Sequence, residues 1–497
     1  SRTAKRSAGV RPGEAMSESL ALSRPRPLPS WVLGTGYVAM LAAGIALFFV
    51  IRQIGETLTA PAAPPLVGKV ASPSNVQVDV IAHVLATLAA IVGLGFVLGR
   101  LFTRVGQPPV IGEVVAGILL GPSLLGAISP DAMHLLVPSA TADPKGQVTA
   151  ALKAISQLGV VLYMFLVGLE LNAAKLKHHA HSAIAISHAS IVFPFVLGAA
   201  LALWLYPVMS HQGVPFTSFS LFLGAALAVT AFPVLARILA DQQLDKTEVG
   251  TVALGCAAAD DVTAWCLLAL VVGVAKAQVG GAVVTGVAAM AFILVMFFVA
   301  GPVAKWVCRK LDSVEGPLPA SAIPLLFVAV LLSALATEEI GVHAVFGAFL
   351  LGAVIPHDCR LAREVTRQLK DVVTVLLLPA FFALSGLRTE IGLVSGWQAW
   401  AMSLAIIVVA TLGKFGGTLL AARVTGLDWR TSAALGAMMN TRGLMALIVL
   451  DIGLKEGVIS PALFAMMVIM ALVTTLATAP ALRALVPAAN PPLEPPT

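Results

Sequence analysis

Two adjacent carboxylates, Asp260 and Asp261, stand in the middle of an apolar run from about Thr247 to Val274, flanked by small residues in Gly255-Cys256-Ala257-Ala258-Ala259-Asp260-Asp261-Val262-Thr263-Ala264-Trp265. If the run is a membrane-crossing helix, a rise of ~1.5 Å per residue puts the pair ~20 Å from its start, near the bilayer midplane. An ionised Asp at that depth costs about 2.5–3.5 kcal/mol, and two neighbours also repel. Packing does not require such a pair, so its chemistry is the taking up and releasing of charge. Successive helical residues point ~100° apart, so Asp260 and Asp261 face different directions. One can line a path while the other meets a basic partner. Two cations lie deep within apolar segments, away from their ends. Lys414, in Leu412-Gly413-Lys414-Phe415-Gly416-Gly417, is flanked by glycines that let helices approach closely. Arg442 follows Asn440 and Thr441 and precedes Gly443, and its fork of donors suits carbonyls left exposed at a helix interruption.

These side chains need a membrane frame, and the composition supplies one. The 497 residues are 58% hydrophobic and 11% charged. That balance belongs to a polytopic all-α membrane protein and not to a soluble enzyme. The net charge of +6 comes from dispersed basic residues, which are topology signals; nucleic-acid binding is not implied. No Walker loop, zinc motif or nucleotide fingerprint appears, so neither an enzyme nor a primary pump is expected. The four cysteines lie in or beside apolar segments without metal-ligand spacing and read as packing residues.

Residues 1–30 read as a polar cytoplasmic tail and residues 31–52 as an extra N-terminal transmembrane helix, segment 0. After a Pro/Ala-rich linker come segments 1 to 13, at roughly 79–103, 107–122, 151–169, 180–206, 218–240, 247–274, 281–306, 318–337, 341–356, 372–387, 397–422, 430–452 and 461–485. Residues 486–497 form a short second tail. With the N-terminus inside, 22 of the 31 Lys and Arg fall on the cytoplasmic side and 7 outside, which supports fourteen crossings with both ends cytoplasmic. Segments 1–6 (79–275) and 8–13 (318–485) are then two six-helix repeats of opposite orientation, joined by a linker helix at 276–312. Inverted repeats of this kind build a midplane site from interrupted helices, one in each repeat. Segment 5 carries Thr230 and Pro233, and segment 12 carries Asn440-Thr441-Arg442-Gly443, at matching depth.

Three stretches, Ala258–Trp265, Thr230–Leu239 and Gly112–Pro122, resemble the monovalent cation:proton antiporter superfamily. The likeness is to its second large family, which includes Kef-type and plant cation/proton exchangers. Phe165–Leu171, Gly341–Phe349 and Asn440–Gly443 agree, and the resemblance runs from about residue 79 to 485. It implies a sodium/proton exchanger fold, a homodimer, and secondary exchange of Na⁺ or K⁺ for protons with no cofactor besides the transported ions. It also implies that Asp261 is the cation and proton site and that Asp260 and Lys414 form a switchable ion pair. Many relatives carry a neutral residue where this chain has Asp260, which points to electrogenic exchange. About a dozen Pro-rich residues follow the last segment where Kef-type relatives append a nucleotide-binding domain, so ligand gating of that kind is not expected.

Thr230 and the carbonyls freed around it are further oxygen donors for a dehydrated alkali cation, and Ala258 and Ala259 leave room for the interrupted helices. Glu113 either lines a cytosolic funnel or makes an interfacial contact. Glu170 and Arg237 read as a salt bridge at cytoplasmic helix ends. His178, His179 and His181 read as part of a basic loop, with a pH sensor as the alternative. His343 matches the family pattern without a readable role. Two other classes use similar residues, a proton-linked cation channel and a sodium-coupled organic-anion symporter, and the interrupted inverted repeats favour alternating access. The location expected is a bacterial plasma membrane.

Overall fold

A computed structural model describes residues 30–62, 79–139, 142–170, 180–244, 247–275, 279–313 and 316–486. The two tails, His178 and His179 lie outside the described residues, and of His181 only its place in a helix is described. The described chain is helical, with no strand. Its first half holds α1 (Ser30–Gly55), α2 (Val80–Arg104), α3 (Pro109–Leu120), α4 (Gln147–Glu170), α5 (Ala180–Met209), α6 (Phe216–Ala228), α7 (Phe232–Asp241) and α8 (Glu248–Ala275). Next, α9 runs Val279–Val295, passes through a π-helical turn at Met296–Ala300 and ends as Gly301–Asp312; α10 (Ala322–Ile340) and α11 (Ala344–Val354) follow. Two more helices carry π turns: α12 (Arg360–Val372, Val373–Leu377, Leu378–Leu387) and α13 (Gly396–Thr411, Leu412–Gly416, Gly417–Val424). The chain closes with α14 (Trp429–Met439), α15 (Leu444–Lys455) and α16 (Pro461–Leu485).

All fourteen apolar segments are helical, but eleven helices among the described residues are long and apolar enough to cross a membrane. The three that fall short are segments 5, 9 and 12. Segment 9 is the short α11, while segments 5 and 12 are each split into two helices, α6–α7 and α14–α15. Length and composition thus support eleven crossings where the charge pattern gives fourteen. Segment 10 also starts earlier than expected, at Arg360. Its first turns bury Leu361, Ala362 and Val365 and expose Arg363 and Arg367, so a polar face lowers the local hydropathy without ending the helix.

The interruptions sit in the middle of the fold. Every residue of α6 except Thr217 is buried, as are the last six residues of α14, from Ala434 to Met439. Helices that are apolar all round belong at a centre. In contrast α1, α2, α9 and α10 carry exposed large side chains such as Phe49, Phe96, Phe298 and Leu325, the surface a bilayer covers. α1 lies on α5 and α6: Tyr37 meets His188 edge-on at 5.4 Å, and Thr217 Oγ1 donates to Glu56 Oε1 at 3.2 Å. Two cysteines far apart in the chain meet, with Cys308 Sγ and Cys359 Sγ 2.7 Å apart and both buried.

Candidate ion-binding site

Asp260 and Asp261 project from the middle of α8, and neither is exposed at all. Asp260 is saturated with donors. Ser187 Oγ donates to its Oδ1 at 2.5 Å, and Ser190 Oγ lies 3.1 Å from Oδ1 and 2.9 Å from Oδ2. Thr230 Oγ1 donates to Oδ2 at 2.6 Å, and Lys414 Nζ lies 2.8 Å from the same oxygen. The ammonium also donates to Ser190 Oγ at 3.3 Å and to the Ala228 carbonyl. A buried carboxylate and a buried ammonium offset the cost of leaving water only when further hydrogen bonds complete their shells, and here they do.

Lys414 reaches this point because α13 widens into its π turn there. Such turns insert an extra residue into the helix and recur at functional sites. The flanking glycine matters sterically: a Cβ at Gly413 would fall 2.6 Å from Pro194 Cα of α5. The helix carrying Lys414 is thereby held against the helix that supplies Ser187 and Ser190.

The two interruptions cross beside the aspartates. The Ala231 N–H donates to the Thr441 carbonyl at 3.0 Å. Thr230 Oγ1 also lies within 3.2 Å of the Met439 carbonyl. Arg442 turns its guanidinium onto the last carbonyls of α6, those of Ala226 (3.0 Å) and Leu227 (2.6 Å), and onto that of its C-cap Val229 (3.3 Å). A helix C-terminus leaves its carbonyls unpaired and carries partial negative charge, so two cations there, Arg442 and Lys414, answer both needs. The main chain of Arg442 is itself pinned by Thr475, whose hydroxyl accepts its N–H at 3.0 Å and donates to its carbonyl at 2.6 Å. Gly443 then allows the crossing, since a Cβ there would lie 2.7 Å from Val234 Cγ2 and 3.2 Å from Ala231 Cβ.

Asp261 is the opposite of its neighbour. Neither of its oxygens makes a hydrogen bond, although both are buried. Asn440 Oδ1, at the end of α14, is likewise buried without a hydrogen bond. α14 packs on α8, so three uncommitted oxygens belong to packed neighbours at the interruption. Such a set can accept a proton or a small cation.

Several residues named from the sequence therefore converge: Asp260, Asp261, Thr230, Lys414, Asn440, Thr441, Arg442 and Gly443. Thr230 gives its hydroxyl proton to Asp260, and the oxygen keeps its lone pairs. Pro233 is the second residue of α7 and follows the interruption, which spans Val229–Ala231; proline is tolerated in a first helical turn. Glu113 lies on α3 with a buried, unpartnered Oε2. Glu170 accepts from Lys370 Nζ at 3.3 Å, a partner on α12 that the sequence did not suggest. With both side chains more than half exposed, that pair contributes little to stability. Ser187 and Ser190 went unnoticed. Their signal is two hydroxyls three residues apart, hence on one face, on either side of His188 in a largely apolar helix.

A profile of the transmembrane sodium/hydrogen exchangers matches residues 84–486. The chain is 43% identical over 407 residues to the Na(+)/H(+) antiporter NhaS4 of Synechocystis sp., covering 82% of this chain and 97% of that protein. It is 37% identical to Cation/H(+) antiporter 18 of Arabidopsis thaliana over 80% of this chain and 48% of that protein. To K(+)/H(+) antiporter 1 of Saccharomyces cerevisiae it is 33% identical over 76% and 43%. It thus spans about half the length of these plant and yeast relatives. The sodium proton antiporter MjNhaP1 of Methanocaldococcus jannaschii superposes with a TM-score of 0.58 over 82% of this chain and 97% of that one. At 14% identity that is a likeness of fold.

Proposed function

The chain belongs to the transmembrane sodium/hydrogen exchanger family, and from that premise we propose that it exchanges a monovalent cation, Na⁺ or K⁺, for protons by alternating access. One observation carries the reading: Asp261 is a buried carboxylate without a hydrogen bond, beside a crossing of two interrupted helices, while Asp260 already has its counter-charge in Lys414. With Lys414 on Asp260 and Arg442 on the backbone carbonyls, Asp261 is the carboxylate without an ion-pair partner of its own. A proton or one alkali cation neutralises it, and both compete for the same oxygens. Empty and ionised, Asp261 resists passage through an apolar barrier, which ties the two fluxes together.

Asp261 is the shared cation and proton site in this reading. Asp260 and Lys414 form a pair that loads and unloads with it, Asn440 contributes its free amide oxygen, and Arg442 and Gly443 hold the crossing. The relatives' names divide between Na⁺ and K⁺, so either cation is consistent with the family. We further propose two inverted units, 79–275 and 318–485, that rock against each other in a homodimer, in a plasma membrane with both termini cytoplasmic.

The test is proton flux in proteoliposomes holding the purified chain, driven in turn by Na⁺, K⁺ and Li⁺. Saturable flux that depends on an opposing proton gradient is expected. A current that follows the cation gradient without moving protons would turn the reading to a channel.

A further inference from the structure

Resting on that exchange reading, we propose that His343 is the neck of the route joining Asp261 to one face of the membrane, and that its imidazole passes protons along it. The route begins on α8. Trp265 stands four residues after Asp261, so the two share a face of the helix. The indole is fully buried, and its Nε1–H has no hydrogen-bond partner. Against it lies the His343 ring, with centroids 5.9 Å apart and planes 31° apart. Nothing in an ordinary core asks for an unpaired indole N–H stacked on an imidazole.

His343 is also where two cavities meet. One, of about 40 Å³, is lined by Lys153, Gln157, Arg388 and Asp451. The other, of about 150 Å³, is lined by Trp265, Glu338, Lys455 and Glu456. His343 and Ile452 line both. Each cavity has charged and polar side chains in its wall and is large enough for water, which needs roughly 10–15 Å³. Both lie at the end of the bundle where α4 begins and α10, α12 and α15 finish. In the charge-based topology this is the outer face.

The charges around the ring balance. Lys153 approaches from α4, Glu338 from α10, Arg388 from the end of α12, and Asp451, Lys455 and Glu456 from α15 and its C-cap. Arg388 is ion-paired with Asp451, and Glu338 Oε2 accepts the Ala344 N–H at 2.9 Å. Three positive and three negative groups leave a neck with no strong field of either sign, where the imidazole supplies both a proton acceptor and a proton donor. Nδ1 faces the Val345 N–H at 3.5 Å, which favours the tautomer with its proton on Nε2. In transfer, the ring takes a proton from water on one nitrogen and releases the other nitrogen's proton to water on the far side. It then returns to its first tautomer, and only N–H and O–H bonds change.

The experiment is a stopped-flow comparison in proteoliposomes of the wild-type chain with His343→Ala and His343→Gln, varying pH on one side at a time. Both variants are expected to lower cation-driven proton flux by about tenfold or more. The loss should be greatest when pH is raised on the face served by the cavities. Free imidazole in the buffer should restore flux to His343→Ala. Unchanged flux in both variants would overturn the proposal. So would a loss that is equal on both sides and unmoved by imidazole, since a packing role predicts that result. If the alanine variant is not monodisperse, the glutamine variant decides by the one-sided pH dependence alone. Absence of cation-driven flux in the wild-type chain would remove the exchange reading along with this one.

Discussion

The Ala231 N–H donates to the Thr441 carbonyl at 3.0 Å, so the two interrupted segments bond to each other at the point where each has lost its own helical partners. Each interruption completes the other. The ends of α6 and α14 and the starts of α7 and α15 come together there, next to α8. Partial charges of both signs are thereby brought to one place without a bound ion.

Gly443→Ala should disturb that junction. Its added methyl meets Val234 Cγ2 at 2.7 Å and Ala231 Cβ at 3.2 Å. Overpacking of this kind costs about 1–3 kcal/mol, and relieving it would part the crossing. A lower melting temperature together with a weaker apparent cation affinity is expected from thermal-shift and flux titrations. A normal affinity would show that the junction does not shape the site.

Lys414→Met and Asp260→Asn should each destabilise the protein. Removing either partner leaves the other charge at 0% exposure without its counter-charge, which costs about 3–5 kcal/mol. Combining Asp260→Asn with Lys414→Met should recover much of the loss. A double-mutant cycle on detergent-solubilised protein measures the coupling, and additive effects would contradict the buried pair.

The interruptions were legible because helix breakers and polar residues stand out against an apolar run. Asp260 and Asp261 were legible for the same reason, and Lys414 because it is one of two cations deep inside such runs. Ser187 and Ser190 were not, since a hydroxyl costs little in a membrane helix and nothing local says which helix it faces. The π turn around Lys414 packs against Pro194 through Gly413, a contact that no short window of sequence contains. The Glu170–Lys370 contact joins residues 200 apart across loops whose lengths leave many pairings open.

Asp261→Asn should abolish exchange and leave folding intact. The change removes a buried charge that lacks a hydrogen bond, and insertion improves by up to about 2.5–3.5 kcal/mol at midplane depth. The variant is expected to be monodisperse, at least as heat-stable as the wild type, and silent in cation-driven proton flux. Flux that persists would place the exchanged ions elsewhere.

Electrogenic exchange is the last expectation, and it turns on the donors around Asp260. Ser187, Ser190 and Thr230 aim three hydroxyls at that carboxylate besides Lys414. They keep it solvated when the ammonium leaves, so the ion pair can open without stranding a bare charge. A cycle in which cation binding at Asp261 frees Lys414 from Asp260 can carry two protons against one cation. That moves one net charge, worth about 2.3 kcal/mol per 100 mV. A pair that stays closed instead gives one-for-one, electroneutral exchange. In Na⁺-loaded proteoliposomes with the potential clamped by K⁺ and valinomycin, flux at fixed pH gradient should respond to voltage. The clamp is valid once K⁺ is shown not to be carried, and a non-transported clamp ion replaces it otherwise. Indifference to voltage would establish the closed pair. Given a response, the combined Ser187→Ala and Ser190→Ala variant should weaken it by making the open pair costlier, while the single-site Asp260→Asn should remove it. Equal voltage dependence in all three proteins would take Asp260 and its serines out of charge movement.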